Sequence, residues 1–150
     1  MLSFPILLLS LAATALTAPS GPPQTFLYSA AVTGGQPSII GAGPLGTRAV
    51  IPVVNGTFSG PKLNGTIHSG VIWTLTSSTG VNTADAVYVL TTSDGANIMV
   101  TEKAHLPNVD IFFETGSSKY AWLNNVTAFA LDTPTTGVSE IEVYAIGSTV

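Results

Sequence analysis

A chain of 150 residues with 45% hydrophobic and only 8% charged side chains carries about a third of the charge usual in a soluble domain, so its solubility rests on uncharged Thr, Ser, Asn and Gly. Four Lys and Arg against eight Asp and Glu, a formal net charge of −4, exclude a basic surface able to neutralise a run of phosphates, and nucleic acid is not an expected partner. The absence of cysteine excludes structural disulfides, thiolate metal sites and thiol catalysis, and leaves the core alone to hold a chain of single-domain length.

The chain opens on an apolar run from Phe4 to Leu11, followed by small residues that include Ala13 and Ala15 and then by the breakers Pro19, Gly21, Pro22 and Pro23. This order predicts a signal peptide over residues 1–18 and a flexible mature N-terminus over 19–24. The run is shorter than the roughly 20 residues a membrane span requires, so no stable membrane anchor is expected and the protein is predicted to be secreted. Asn55-Gly56-Thr57, Asn64-Gly65-Thr66 and Asn125-Val126-Thr127 are N-glycosylation sequons and agree with export, making Asn55, Asn64 and Asn125 candidate glycan acceptors. The first two also contain Asn-Gly, a favoured hairpin turn.

Beyond Gln24 no window holds apolar residues at helical spacing. Short β-prone runs alternate instead with Gly, Pro, Asn and Ser. Strands are predicted at Thr25 to Val32, Thr47 to Val54, Gly56 to Ser59, Leu63 to His68, Gly70 to Thr76, Ala84 to Thr91, Asn97 to Glu102, Asp110 to Glu114, Ala121 to Leu131 and Ser139 to Ile146, with turns at Ser78-Thr79-Gly80 and Ser93-Asp94-Gly95. The fold class is all-β, a single antiparallel barrel or sandwich domain over residues 25–147. Alternation places Val71, Trp73 and Leu75 opposite Ile72 and Thr74, and Asp85, Val87 and Val89 opposite Ala86, Tyr88 and Leu90. Both faces of this last strand are largely apolar, which suits a barrel interior on one side and a covering segment or a second copy in a homo-oligomer on the other.

Two histidines, His68 and His105, lack sequence-local partners of ligand type, so no metal site is expected. With charges so scarce, those inside strand patterns stand out, because a buried charge needs a partner. Asp85 lies within one strand, Glu114 ends another and Arg48 opens a third. Trp73, Tyr88, Phe112, Phe113, Tyr120 and Trp122 are read first as core, and alternatively as the wall of an apolar cavity in which Tyr88 and Tyr120 donate hydrogen bonds.

Several separate runs resemble one known family. Gly46-Thr47-Arg48-Ala49-Val50-Ile51-Pro52 and Asn55 to Gly65 are similar to the opening signature of the DUF3237 proteins, also called UPF0311. Gly70 and Trp73, Asp85-Ala86-Val87-Tyr88, Asp94-Gly95, Phe113-Glu114-Thr115-Gly116, Tyr120-Ala121-Trp122-Leu123-Asn124 and Glu142-Val143-Tyr144 follow in the family's order. The resemblance implies a small β-barrel. It also implies, from fungal members tied to secondary metabolism, a cofactor-free cyclase or isomerase that closes a ring on a phenolic, polyketide-like substrate by intramolecular hydroalkoxylation. On that reading Asp85, Arg48, Glu114 and Tyr120 are the catalytic candidates, with Asp85 or Glu114 accepting a proton, Arg48 stabilising negative charge and Tyr120 donating. Trp73, Tyr88, Phe113 and Trp122 line the ligand site, and neither cofactor nor metal is expected. Where the family carries an acid and a base, this chain has Ile72 and Val87. Their joint loss predicts that the two positions face each other, since losing both members of a buried pair is nearly neutral whereas losing one is not. The alternative of a different class is a non-catalytic secreted binding or surface protein.

Overall fold

In a computed structural model, residues 19, 21–132 and 137–147 are described. The expected signal peptide lies outside them. The strands are β1 (Gln24–Gly34), β2 (Ser38–Gly43), β3 (Gly46–Ser59), β4 (Asn64–Thr76), β5 (Asn82–Thr92), β6 (Asn97–His105), β7 (Asn108–Glu114), β8 (Thr127–Leu131) and β9 (Val138–Ile146). The only helix among the described residues is one short 3-10 turn over Ala121–Asn125. Hydrogen bonding runs β1-β9-β8-β7-β6-β5-β4-β3-β2, and a further β1–β3 pairing closes the ring. The result is an eight-stranded antiparallel barrel with β2 attached to β3 outside it. Strand β3 serves both partners: Gly46 to Val50 pairs with β2, and Val53 to Ser59 pairs with β1.

Strict alternation builds the barrel wall. In β6, Ile98, Val100 and Ala104 are buried while Asn97, Met99, Lys103 and His105 are exposed; in β7, Val109, Ile111 and Phe113 are buried. Strand β5 buries Ala86, Tyr88 and Leu90 inside and keeps Val87 and Val89 half-buried on the outer wall. Tyr28 occupies the centre of the interior, edge-on to Phe58 at 5.7 Å and to Phe113 at 6.2 Å between ring centroids.

Several predicted boundaries shift for identifiable reasons. Asn55-Gly56 is not a turn, and β3 runs straight through it. A Cβ at Gly56 would stand 2.5 Å from the Ala31 carbonyl oxygen, so the glycine is there for the close approach of β1. Asn64-Gly65 opens β4, and the preceding turn is closed by the Gly60 N–H donating to the Leu63 carbonyl at 2.9 Å. The predicted strands Leu63 to His68 and Gly70 to Thr76 are one strand with a bulge. Its register against β5 shifts between His68 and Val71, with Ser69 at φ 53°. Ala121–Asn125 is 3-10 helix rather than strand, and β2, with the exposed sequence Ser-Ile-Ile-Gly-Ala-Gly, was not predicted because it carries no alternation to read.

The two barrel ends differ. One is plugged by the buried side chains of Leu63, Tyr120, Leu123 and Val126. There the Asp94 carboxylate accepts hydrogen bonds from Lys119 Nζ (2.6 Å), Thr92 Oγ1 (2.6 Å) and the Tyr120 hydroxyl (3.0 Å), which hold its carboxyl far below the ordinary range. The opposite end, bordered by the β1–β2 loop, the β6–β7 turn, Asp132 and Gly137, leads into the interior.

Candidate functional site

The cavity behind that mouth has a volume of about 500 Å³. Ile51, Ile72, Val109 and Ile141 supply much of its apolar wall, and Tyr88, Glu102, Asp132 and Ser139 are among its polar groups. Among the described residues, no Lys, Arg or His lines it. The residue with the most unusual setting is Glu102. Strand β6 aims Ile98, Val100, Glu102 and Ala104 inward, so a carboxyl occupies a position the alternation reserves for an aliphatic side chain. Its cross-strand neighbours, Ala86 on β5 and Ile111 on β7, offer it no polar atom beyond their backbones.

Burial and two neighbouring groups govern its proton. Burial raises the Glu102 carboxyl to about 7, a hydrogen bond donated by the Tyr88 hydroxyl to Oε1 at 2.6 Å works in the opposite direction, and the Asp132 carboxylate adds a further upward push by like charge. The Tyr88 phenol is itself held well above its ordinary range by burial and by the neighbouring Glu102 charge. Asp132 follows β8. Its backbone N–H donates to the Pro107 carbonyl at 2.8 Å and its Oδ1 accepts from the Ser139 hydroxyl, which ties the β6–β7 turn and β9 together across the mouth. A carboxyl that keeps its proton near neutrality, beside a second carboxylate in an apolar chamber, is equipped for general acid–base work on an uncharged molecule. With no cationic side chain in its lining, the chamber lacks the groups that recognise a phosphate or carboxylate.

The residues singled out from the sequence disperse over the barrel. Asp85 points outward, opposite Trp73 on β4 and Lys103 on β6, because its neighbours Ala86 and Tyr88 face in. Arg48 pairs with Leu75 on the same outer wall. Glu114 is exposed at the end of β7, opposite Met99. Tyr120 belongs to the plug at the closed end. These four catalytic candidates are therefore not brought together, and none lines the cavity. Of the four ligand-wall candidates, only Tyr88 faces it. Trp73 is on the outer wall and 36% exposed, Phe113 packs in the core against Tyr28, and Trp122 lies under the Lys62 ammonium, 5.3 Å from its ring centroid. Asn55, Asn64 and Asn125 are all exposed.

The expected facing of Ile72 and Val87 is also corrected. Ile72 pairs with Ala86 and lines the cavity, while Val87 pairs with Val71 on the outer wall, so the two positions lie on opposite faces. An aspartate at position 72 would project into the same chamber as Glu102. Neither Glu102 nor Asp132 was singled out from the sequence. The signal for Glu102 was present in the run Ile98-Met99-Val100-Thr101-Glu102-Lys103-Ala104, where its parity with Ile98 and Val100 marks it as inward. Asp132 had none, since it lies just past the end of β8, where no alternation assigns a face.

The fold and this chamber together define a class: a closed antiparallel barrel with one plugged end and an acid-bearing apolar cavity at the other. The family model described as "Protein of unknown function (DUF3237)" matches residues 22–109. The chain is 39% identical over 143 residues to the hydroalkoxylation enzyme phnH of Penicillium herquei, covering 93% of this chain and 96% of that protein. It belongs to the DUF3237 family. Among solved structures, an enzyme from Penicillium herquei superposes with a TM-score of 0.79 at 37% identity, covering 87% of this chain and 98% of the other. A β-barrel-like protein from Acinetobacter baumannii superposes with a TM-score of 0.77 at 26% identity, covering 85% and 98%.

Proposed function

We propose that this protein is a cofactor-independent cyclase that adds a phenolic hydroxyl across an alkene within one polyketide-like aromatic molecule, and that Glu102 is its general acid. The observation that carries this reading is the inward carboxyl on β6, held near neutrality by burial in an apolar chamber. The name of the Penicillium herquei relative, a hydroalkoxylation enzyme, supports the reaction class.

Hydroalkoxylation is an isomerisation, and its atoms balance without a co-reactant. The Glu102 carboxyl gives its proton to one alkene carbon as the π bond opens, and the phenolic oxygen forms the new C–O bond at the other carbon. Asp132 accepts the phenolic proton, and the two carboxyl groups exchange one proton through solvent at the mouth to restore the starting state. Positive charge that develops on the attacked carbon falls in a chamber containing carboxylates and a tyrosine ring, with no opposing cation. Holding both reacting groups of one molecule in a confined space supplies the proximity term. The assignment moves the catalytic role from Asp85, Arg48, Glu114 and Tyr120 to groups that share one cavity.

Export belongs to the same proposal. It rests on the apolar N-terminal run and on three sequons whose asparagines are exposed. The expected result is recovery of the protein from culture medium and an increase in its electrophoretic mobility on enzymatic removal of N-glycans; absence from the medium would contradict export.

The direct test offers ortho-prenylphenol to the purified protein in deuterated water without additives. The expected product is the cyclic ether with one deuterium on the side-chain carbon that receives the proton. Binding of the phenol to the cavity without any turnover would replace the cyclase by a non-catalytic binding protein.

A further inference from the structure

The chamber behind the open mouth carries acidic groups with nothing to balance them. The Tyr88 hydroxyl donates to Glu102 Oε1 at 2.6 Å, and Oε2 of the same carboxyl has no partner among the described residues, although the side chain lines the cavity. Asp132 is in the same position. Its Oδ1 accepts from the Ser139 hydroxyl at 2.5 Å, and its Oδ2 has no partner among the described residues. A carboxylate in an apolar enclosure is costly unless a cation or several donors face it.

The chain has no cation left for this task. Its four Lys and Arg and its two His are all placed elsewhere. Arg48 lies on the outer wall opposite Leu75, and Lys103 lies there between Asp85 and Asp110. Lys62 covers the Trp122 ring and Lys119 binds Asp94 at 2.6 Å. His68 bonds the Ser69 and Thr91 hydroxyls, and His105 is exposed at the end of β6. A hydrated metal ion suits the chamber poorly. Such an ion needs about six oxygen ligands, whereas Ile51, Ile72, Val109 and Ile141 form much of the wall, and the described residues contain no cluster of three metal-ligating side chains. Apolar walls around a volume of about 500 Å³ fit an aromatic body instead. The Tyr88 ring in the same lining adds an aromatic surface that attracts a compact cation.

We propose that the chamber is a binding site for aromatic organic cations, in which the unpartnered oxygens of Glu102 and Asp132 hold an ammonium carried on a hydrophobic body. This deepens the proposed cyclisation and rests on it for its meaning: the ammonium takes the place of the attacked carbon as that carbon becomes positive. The chamber is then complementary to the charged species on the reaction path rather than to the neutral phenol.

Cation binding should tighten as pH rises through about 7, where Glu102 gives up its proton. The other groups facing Glu102 leave that dependence readable. Tyr88 from β5 and Tyr28 from β1 are phenols that burial holds above their ordinary range, and Asp132, at the end of β8, is the remaining acid. Ile111 on β7, Ile72 and Thr74 on β4, and Ser139 and Ile141 on β9 do not titrate in this range.

The test is calorimetric titration of the purified protein with benzyltrimethylammonium, whose charge is independent of pH, and with neopentylbenzene, its uncharged isostere. The ammonium is expected to bind, and the ratio of its affinity to that of the hydrocarbon should rise about tenfold from pH 5.5 to pH 8.5. A cation in contact with a carboxyl shifts it by about 1–3 units, and each unit is tenfold in affinity by linkage. E102Q should abolish the pH dependence, D132N should weaken the ammonium at both pH values, and D85N, on the outer wall, should do neither. No binding of the ammonium at pH 8.5, a ratio unmoved by pH and by D132N, a pH dependence that persists in folded E102Q, or weakening by D85N overturns the proposal. If E102Q does not fold, the wild type and D132N decide alone. Cation binding of the expected kind without turnover of ortho-prenylphenol leaves this site standing and removes the cyclase, whereas turnover with an unmoved ratio does the reverse.

Discussion

Glu102 shows how one side chain changes the behaviour of a whole strand. Its carboxyl is raised from an ordinary 4.5 to about 7, so between those values the folded protein binds a proton that the unfolded chain has released. The unfolded state is then favoured progressively as pH rises. The group's full contribution is present below about pH 4.5, is lost across the window up to about 7, and changes no further above it. The total is roughly 3 kcal/mol. Chemical denaturation at pH 4.5, 6 and 7.5 should show stability falling with pH by an amount of that order, and an E102Q variant should remove most of the slope. Activity should follow the same group. Because the acid must carry its proton, the rate should fall as pH rises through about 7. This residue was legible in principle, since parity within β6 alone puts it inside. Asp85 and Glu114 stood out instead as scarce charges within strand patterns and family motifs, but parity within β5 and β7 turns both of them outward.

At the scale of elements, the strands were readable and their continuity was not. Period-two alternation separated the two faces of β5 and of the second half of β4 correctly, because one side of each packs in a barrel and the pattern reports burial directly. The same sequence could not distinguish a glycine that turns the chain from a glycine that lets a neighbouring strand come close, and Asn55-Gly56 is the second kind. Gly70 is another. It sits at the β4 bulge, where an added Cβ would lie 2.4 Å from the Cβ of Tyr88. The bulge and the inward placement of Tyr88 are therefore one arrangement, and the strand that frames the cavity is shaped by the residue that contacts Glu102. Gly70→Ala is expected to destabilise the protein by about 1–3 kcal/mol through overpacking. It should also shift Tyr88, which near-ultraviolet circular dichroism would detect. A Gly116→Ala control, after β7 with open space around it and no left-handed backbone, should disturb neither Tyr88 nor the cavity. The 3-10 turn at Ala121–Asn125 escaped prediction because its register is fixed by Asn124, whose side chain bonds the backbone of Thr115 at both ends, an interaction invisible to periodicity.

The whole molecule divides its labour between two ends. The plugged end carries Asp94 bound to Lys119, Thr92 and Tyr120, and the open end holds the carboxyls of the chamber. A barrel brings together inward residues from strands distant in sequence, which is why the class of fold could be read from alternation and turns while the site could not. Tyr88 and Glu102 come from the paired strands β5 and β6, whereas Asp132 follows β8, and the barrel brings all three to one chamber. The outer-wall residues Asp85 and Arg48 and the plug residue Tyr120 are expected to be dispensable for turnover, so D85N, R48A and Y120F should retain kcat within about threefold if they fold. The measurement that bears most directly on this division compares kcat for ortho-prenylphenol across the wild type, E102Q and D85N, with each fold checked by far-ultraviolet circular dichroism. The expected result is a loss of about 10²- to 10⁴-fold in E102Q alone. Full activity in E102Q together with loss in D85N would contradict the assignment of the reaction to the interior of the barrel.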